Sequence, residues 1–456
     1  MTSNKAVFTE GSLFRHMVVM TCTSATSLLS IFLVDILTVV YIAMLRDDSL
    51  LAAIAVAKTL MFFITSMVLG VAVAAGTVVS KRLGAGAPER ARQLASTGLL
   101  LAVIVAAAGA LIQLVFLDVA VHLLGAEGSA FAAASSYLWI TLPATVLMAV
   151  GQLCAQLLRT AGLSRQAMWI MLIATAAVAV ADPVLIFLFD LGLDGAGYAY
   201  VLSCTITASA GGYYVHRVAR LTSPLEARQL WADIGHISRI AVPAVFGNLA
   251  TPVGMAYLMA TVAQFGSQAL AGIAVVDRVI QFAFCVFFVL PGALSPVLGQ
   301  NLGAMNKVRA AHAIRMSYGL VVVYGVSVSL LLAVSAGLMG RLFHVEGEGL
   351  LILEAFCRFG GVLWTIIGLQ FIATSIFITM GRSIYVTVFG WLRASLGTVP
   401  FVWYGAQTLG SSGALLGQLL GNALVALLAC GVAMAVMRNA LNELDGPSPA
   451  AVLARR

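Results

Sequence analysis

Polar positions are so sparse along this chain that they work as punctuation. Between them run apolar stretches such as "MFFITSMVLGVAVAAGTVV" (61–79) and "LAVIVAAAGALIQLVFL" (101–117). An α-helix needs roughly 20 such residues to cross the hydrocarbon of a bilayer. The pattern predicts twelve helical segments, at 13–45, 51–80, 94–116, 132–158, 166–189, 196–216, 239–264, 270–300, 313–340, 350–379, 384–408 and 413–437. Several exceed what the hydrocarbon requires, so tilted helices or protruding ends are expected.

Composition supports the pattern. The chain is 61% hydrophobic and 9% charged, where soluble domains carry about 25% charged residues. No cleavable signal peptide is expected, because "MTSNKAVFTEGSLFRH" is too polar and the apolar stretch after it too long for an h-region. Six cysteines (Cys22, Cys154, Cys204, Cys285, Cys357, Cys430) are scattered without CxxC spacing. They read as small apolar fillers, not as disulfides or metal ligands.

The net charge of +7 changes the picture only through its distribution. When loops are assigned alternately to two sides, one side collects 19 of the 25 basic residues. Among them are Lys5, Arg15, Lys81, Arg165, Arg455 and Arg456. The other side holds Arg46, Arg341 and Arg358. The positive-inside rule then predicts a multi-pass protein of the cell's inner membrane with both termini cytoplasmic. Basic charge is a topology signal here, and nucleic acid is excluded as a partner.

The chain repeats itself. "LAAIAVAK" (51–58) aligns with "LAGIAVVD" (270–277), and "RLGAGAPERA" (82–91) with "NLGAMNKVRA" (301–310), both at an offset of 219. "RTAGLSRQAMW" and "ITMGRSIYVTV" form a third pair. The expected fold is all-α and membrane-integral, with twelve transmembrane helices in two pseudo-symmetric six-helix bundles. The expected divisions are 1–216, a basic cytoplasmic linker at 217–238, 239–437 and a cytoplasmic tail at 438–456. Six is even, so both halves enter the membrane in the same direction. Such parallel repeats are typical of transporters.

Six charged residues within spans are the candidates: Asp35, Lys58, Asp182, Asp277, Arg278 and Arg393. A charge at the bilayer centre costs about 2.5–3.5 kcal/mol, so each should be paired, wetted or functional. Asp35 and Asp182 share a half and a depth, roughly 12–15 Å from one end of their spans. Asp182 also precedes Pro183, which removes a backbone donor and frees carbonyls beside it. Two nearby carboxylates in a low dielectric cannot both stay ionised cheaply, which suits a proton or cation site. The plainer reading is a carboxylate bonded to a hydroxyl or to Lys58, and Lys58 is either counter-ion or an outward-snorkelling side chain. Asp277 and Arg278 point about 100° apart on a helix and cannot face each other; they read first as rim or packing charges. Arg393 could neutralise a carboxylate, touch an anionic substrate group or hold carbonyls.

Weaker signals change little. The "GSSG" at 410–413 matches an intramembrane serine protease motif, but no histidine lies mid-span to serve as its base. His344 and the other five histidines sit at span ends or in loops. Gly413, Gly417 and Gly421 form a stripe for close helix packing. Nothing resembles a mid-membrane nucleophile or metal cluster, so no enzyme activity and no cofactor is expected.

The segments "FLVDILTVVYIAML", "GTVVSKRLGAGAPERARQLA", "ADPVLIFLFDLGLDGAGYA", "LPGALSPVLGQNLGA" and "TMGRSIYVTVFGWLRASLGTVPF" together resemble the multidrug and toxic compound extrusion (MATE) transporters over about residues 15–437. The resemblance implies a central cleft and export driven by inward flow of protons or sodium. It also implies that Asp35 stands at the coupling position, with Asp182 similar to the span-five aspartate before proline. The chain departs from the family pattern in three places. Val178 replaces a frequent asparagine, span one lacks a counterpart of Pro243, and Asn248 stands where many sodium-linked members have glutamate. The last of these favours protons over sodium. The expected partners are the bilayer and small lipophilic, cationic drugs or toxins, carried by a monomer. A flippase for lipid-linked saccharides is the nearest rival, and a passive channel the next.

Overall fold

Several helices open on a side-chain cap, and several close on a left-handed turn. The computed structural model describes residues 6–343 and 345–443. Lys5, His344, Arg455, Arg456 and the rest of the predicted tail after 443 lie outside the described residues. The residues cluster into two units, Met1–Leu249 and Ala250–Arg456. In the first stand α1 (Leu13–Met44), α2 (Asp48–Gly84), α3 (Pro88–Val115), the short α4 (Leu117–Leu123), α5 (Gly128–Thr160), α6 (Ser164–Pro183) and α7 (Gly192–Tyr213). Helix α8 (Ala227–Val262) leads into the second unit. There follow α9 (Ser267–Ala283), α10 (Cys285–Gly303), α11 (Lys307–Leu342), α12 (Gly347–Ala355), α13 (Gly361–Thr379), α14 (Ile384–Ala394) and α15 (Val399–Glu443).

Caps follow from side-chain chemistry. The Ser49 hydroxyl and amide donate to the Asp47 carboxylate at the start of α2, at 2.6 and 2.9 Å, and hold that carboxyl below its usual range. Asn306 accepts from the Arg309 amide at 3.1 Å to open α11, and Pro88 takes the first position of α3, where its missing N–H is not needed.

All twelve predicted segments are helical, and no strand occurs among the described residues. Among the described residues, ten stretches are long and apolar enough to cross a membrane. The longest, Ile384–Asn442, reverses at Gly410 (φ 65°, ψ −145°) and so holds two predicted spans. The less apolar α7 is the remaining one.

The 219-residue offset reappears in the backbone of each unit. Helix α2 runs Asp48–Gly84, and its counterpart Ser267–Gly303 is α9 plus α10. Helix α5, Gly128–Thr160, corresponds to Gly347–Thr379, the span of α12 and α13. Left-handed turns fall in the same register, Gly86 (φ 71°) with Met305 (φ 56°) and Gly162 (φ 80°) with Gly381 (φ 72°). At Met305 a side chain accepts a conformation that normally favours glycine, so the turn is retained where the glycine is not.

The two units depart from each other in where helices break. Segment 270–300, predicted as one helix, is interrupted at Phe284; the Tyr324 hydroxyl donates to the freed Ala283 carbonyl at 2.8 Å. Segment 384–408 is interrupted between α14 and α15, where the Thr398 hydroxyl donates to the Arg393 carbonyl at 2.9 Å. After Pro183 the chain widens into a π-helical turn, Val184–Leu188, the local disturbance expected of that proline.

Helix α8 starts at Ala227, so 227–238 is helical. Its first turns are clasped to α3. Both terminal guanidinium nitrogens of Arg90 donate to the Asp233 carboxylate, which is 2% exposed, and Arg90 also donates to Gln229 at 2.7 Å. Hydrogen bonds to a charged group contribute about 1.5–3 kcal/mol. Asp233→Ala should therefore lose about 2 kcal/mol of stability, and a double-mutant cycle with Arg90→Ala should return most of that loss as coupling. Additive single losses in detergent unfolding would refute the clasp.

Candidate functional site

In the first unit, α1 carries the polar chemistry on one face. Asp35 and Thr38 are three residues apart and so lie one above the other. From α2, the Lys58 ammonium donates to Asp35 Oδ1 at 3.0 Å and to the Asp35 carbonyl at 3.4 Å. Lys58 is thus the counter-ion of Asp35. The pair is not sealed: the side chains are 34% and 52% exposed, Lys58 and Asp35 respectively.

Asp182 is the opposite case. It is fully buried on α6, and the Thr38 hydroxyl donates to its Oδ2. Oδ1 has no partner among the described residues. Both carboxylates are therefore held through α1, Asp35 as a residue of that helix and Asp182 through Thr38. A change of charge at Asp35 acts on the helix that also carries the sole described hydrogen bond of Asp182.

In the second unit the remaining candidates are tied to neutral groups. Gln281 donates to Asp277 at 2.6 Å and accepts from Arg278 at 3.0 Å, joining two residues that cannot face each other directly. Arg393 on α14 donates to the Thr251 hydroxyl on α8 at 2.7 Å. Asn248, at the end of the first unit, stands half-buried one turn before Thr251. None of these reproduces the arrangement in the first unit.

The repeat shows why. The position 219 residues after Lys58 is Asp277, and the one after Asp35 is Gly254. A Cβ at Gly254 would lie 3.3 Å from the Ala394 Cα. Even a Cβ there requires the α14 backbone to give by a few tenths of an ångström, so a carboxylate is disfavoured.

Thr38, Thr251 and Gln281 were not singled out from the sequence. Thr38 alone had a usable signal, its place one turn from Asp35. Threonines in these helices generally bond back to their own carbonyls, as Thr26 does to Cys22 at 2.9 Å, so the residue type does not mark it.

The MatE family model matches residues 24–184 and 243–403, two stretches again 219 residues apart. An uncharacterized 21 kDa protein from the iaaL 5' region of Pseudomonas savastanoi is 52% identical over 262 residues, covering 56% of this chain and 82% of that protein. A FAD transporter of Shewanella oneidensis is 26% identical over 402 residues, 85% and 87% of the two chains. The multidrug export protein MepA of Staphylococcus aureus is 24% identical over 401 residues, 86% and 87% of the two. The crystal structure of the Vibrio cholerae MATE transporter VcmN in its bent form superposes with a TM-score of 0.86 at 24% identity, over 98% of this chain and 99% of that one. The chain belongs to the MatE family: it is a multi-span membrane protein with the fold of the multidrug and toxic compound extrusion transporters, and a transporter, not an enzyme.

Proposed function

We propose that the chain exports lipophilic, cationic compounds across the cell's inner membrane in exchange for protons, with both termini in the cytoplasm. The observation that carries this reading is the Asp35–Lys58 pair, a carboxylate within a span that is bound to an internal cation yet half-exposed. A proton reaching Asp35 neutralises it and removes the attraction that holds the ammonium. The freed Lys58 charge then disfavours a cationic passenger nearby, and α1 passes the change to Asp182 through Thr38. Proton and passenger thereby favour different states, which is the condition for exchange, since a ligand shifts an equilibrium only through differential affinity.

A second reading is transport of an anionic flavin nucleotide. The Shewanella relative is named a FAD transporter, and the Arg393 guanidinium meets the Thr251 hydroxyl and no carboxylate among the described residues. The protein reconstituted in liposomes distinguishes the two. A proton gradient alone should drive efflux of a fluorescent cationic dye, and a sodium gradient alone should not. Dye efflux under sodium alone would overturn the choice of ion; movement of FAD but not of dye would replace the first reading by the second.

A further inference from the structure

At the starts of α1 and α6 the first unit forms a half-open cavity of about 430 Å³. Ser12, Arg15 and His16 line it from one side, and Ser164, Arg165 and Gln166 from the other. A floor is fixed beneath them. Phe8 is buried and meets the His16 ring edge-on at 5.4 Å, while the His16 Nε2 lies 3.0 Å from the Glu10 carbonyl. Neither Arg15 nor Arg165 meets a carboxylate among the described residues. Two exposed arginines with no carboxylate partner thus line one cavity, and an anion between them would pair with both.

The surroundings indicate where that anion comes from. Phe14, beside Arg15, is 58% exposed, and Trp169, one turn beyond Arg165 on the same helix face, is 60% exposed. Exposed aromatic residues next to basic ones at the ends of spanning helices mark the headgroup level of a bilayer. Both arginines also belong to the basic side of the chain. Basic pockets between spanning helices on that side suit anionic headgroups.

We infer that this cavity binds the phosphate of an anionic phospholipid from the same leaflet, with Arg15 and Arg165 as its two charge partners. The acyl chains then run along the exposed faces of α1 and α6, past Phe14 and Trp169.

The test uses the full chain purified in neutral detergent, with phosphatidylglycerol and phosphatidylcholine added in turn and retained lipid counted by native mass spectrometry. The wild type should retain phosphatidylglycerol preferentially. Arg15→Gln and Arg165→Gln should each weaken retention about fivefold, and the double variant about thirtyfold. The pair Arg382→Gln with Arg438→Gln, which removes as much basic charge elsewhere, should leave it unchanged. Phosphatidylglycerol with brominated chains should quench fluorescence in the wild type more than in Trp169→Phe, a readout that needs no arginine variant. Equal retention by the double variant and the wild type would overturn the site. Displacement of the lipid by inorganic phosphate at matched concentration would overturn the lipid as its occupant and leave a site for soluble anions.

Discussion

Liposomes carrying the Asp35→Asn chain should hold their dye. Under a proton gradient that empties wild-type vesicles, efflux is expected to fall at least tenfold, because an amide cannot take up and release the proton. The fold should hardly notice. The pair with Lys58 is half-exposed, and ion pairs of that kind contribute about 0–1 kcal/mol. A melting temperature within a few degrees of wild type, together with lost transport, separates coupling from structure. Normal efflux from the variant would make Asp35 a satisfied structural carboxylate, and Asp182, fully buried and bonded to Thr38, would become the next candidate.

The largest effect on stability is expected at Gly417. The two arms of α15, on either side of Gly410, approach so closely that a Cβ at Gly413, Gly417 or Gly421 would collide with a carbonyl oxygen, of Gly405, Phe401 or Gly397 respectively. The glycine stripe thus packs within one helical hairpin. Overpacking generally costs about 1–3 kcal/mol. A collision with backbone belongs at the top of that range, since no side chain can swing aside. Gly417→Leu should lower the melting temperature by roughly 3–6 °C, if the chain folds at all. Gly212→Leu and Gly319→Leu, where nothing lies within 4 Å of the added atom, should change it little. Equal losses at all three positions would refute close packing as the source of the penalty, since leucine is the better helix former and propensity alone would raise stability at each.

The spans were legible because the bilayer sets their length, and the repeat because it kept identical residues at one offset. Breaks inside spans were not. Residues 270–300 read as one apolar run, and the group that completes the break at Phe284 is the Tyr324 hydroxyl, supplied from another helix. Residues 227–238 looked like a basic loop because the side chain that seats them, Arg90, is polar and far away in sequence. At the candidate site, depth alone grouped Asp35 with Asp182, and the pairing with Lys58 was one of two open alternatives. The absence of an equivalent carboxylate in the second unit depends on how α14 approaches Gly254, which a one-dimensional pattern does not contain.

The inverted charge at Lys58 and Asp277 bears on how such a chain can change over generations. Tandem halves invite recombination, in which codons of one half overwrite those of the other. At this position that event is poisoned. Copying the first half over the second amounts to Asp277→Lys, which sets a second cation beside Arg278 and strips Gln281 of the carboxylate its amide now serves. The reverse copy, Lys58→Asp, would place two carboxylates where one ion pair stands. Each half is therefore locked out of repairing the other at the residue where they differ most, and the asymmetry, once established, protects itself.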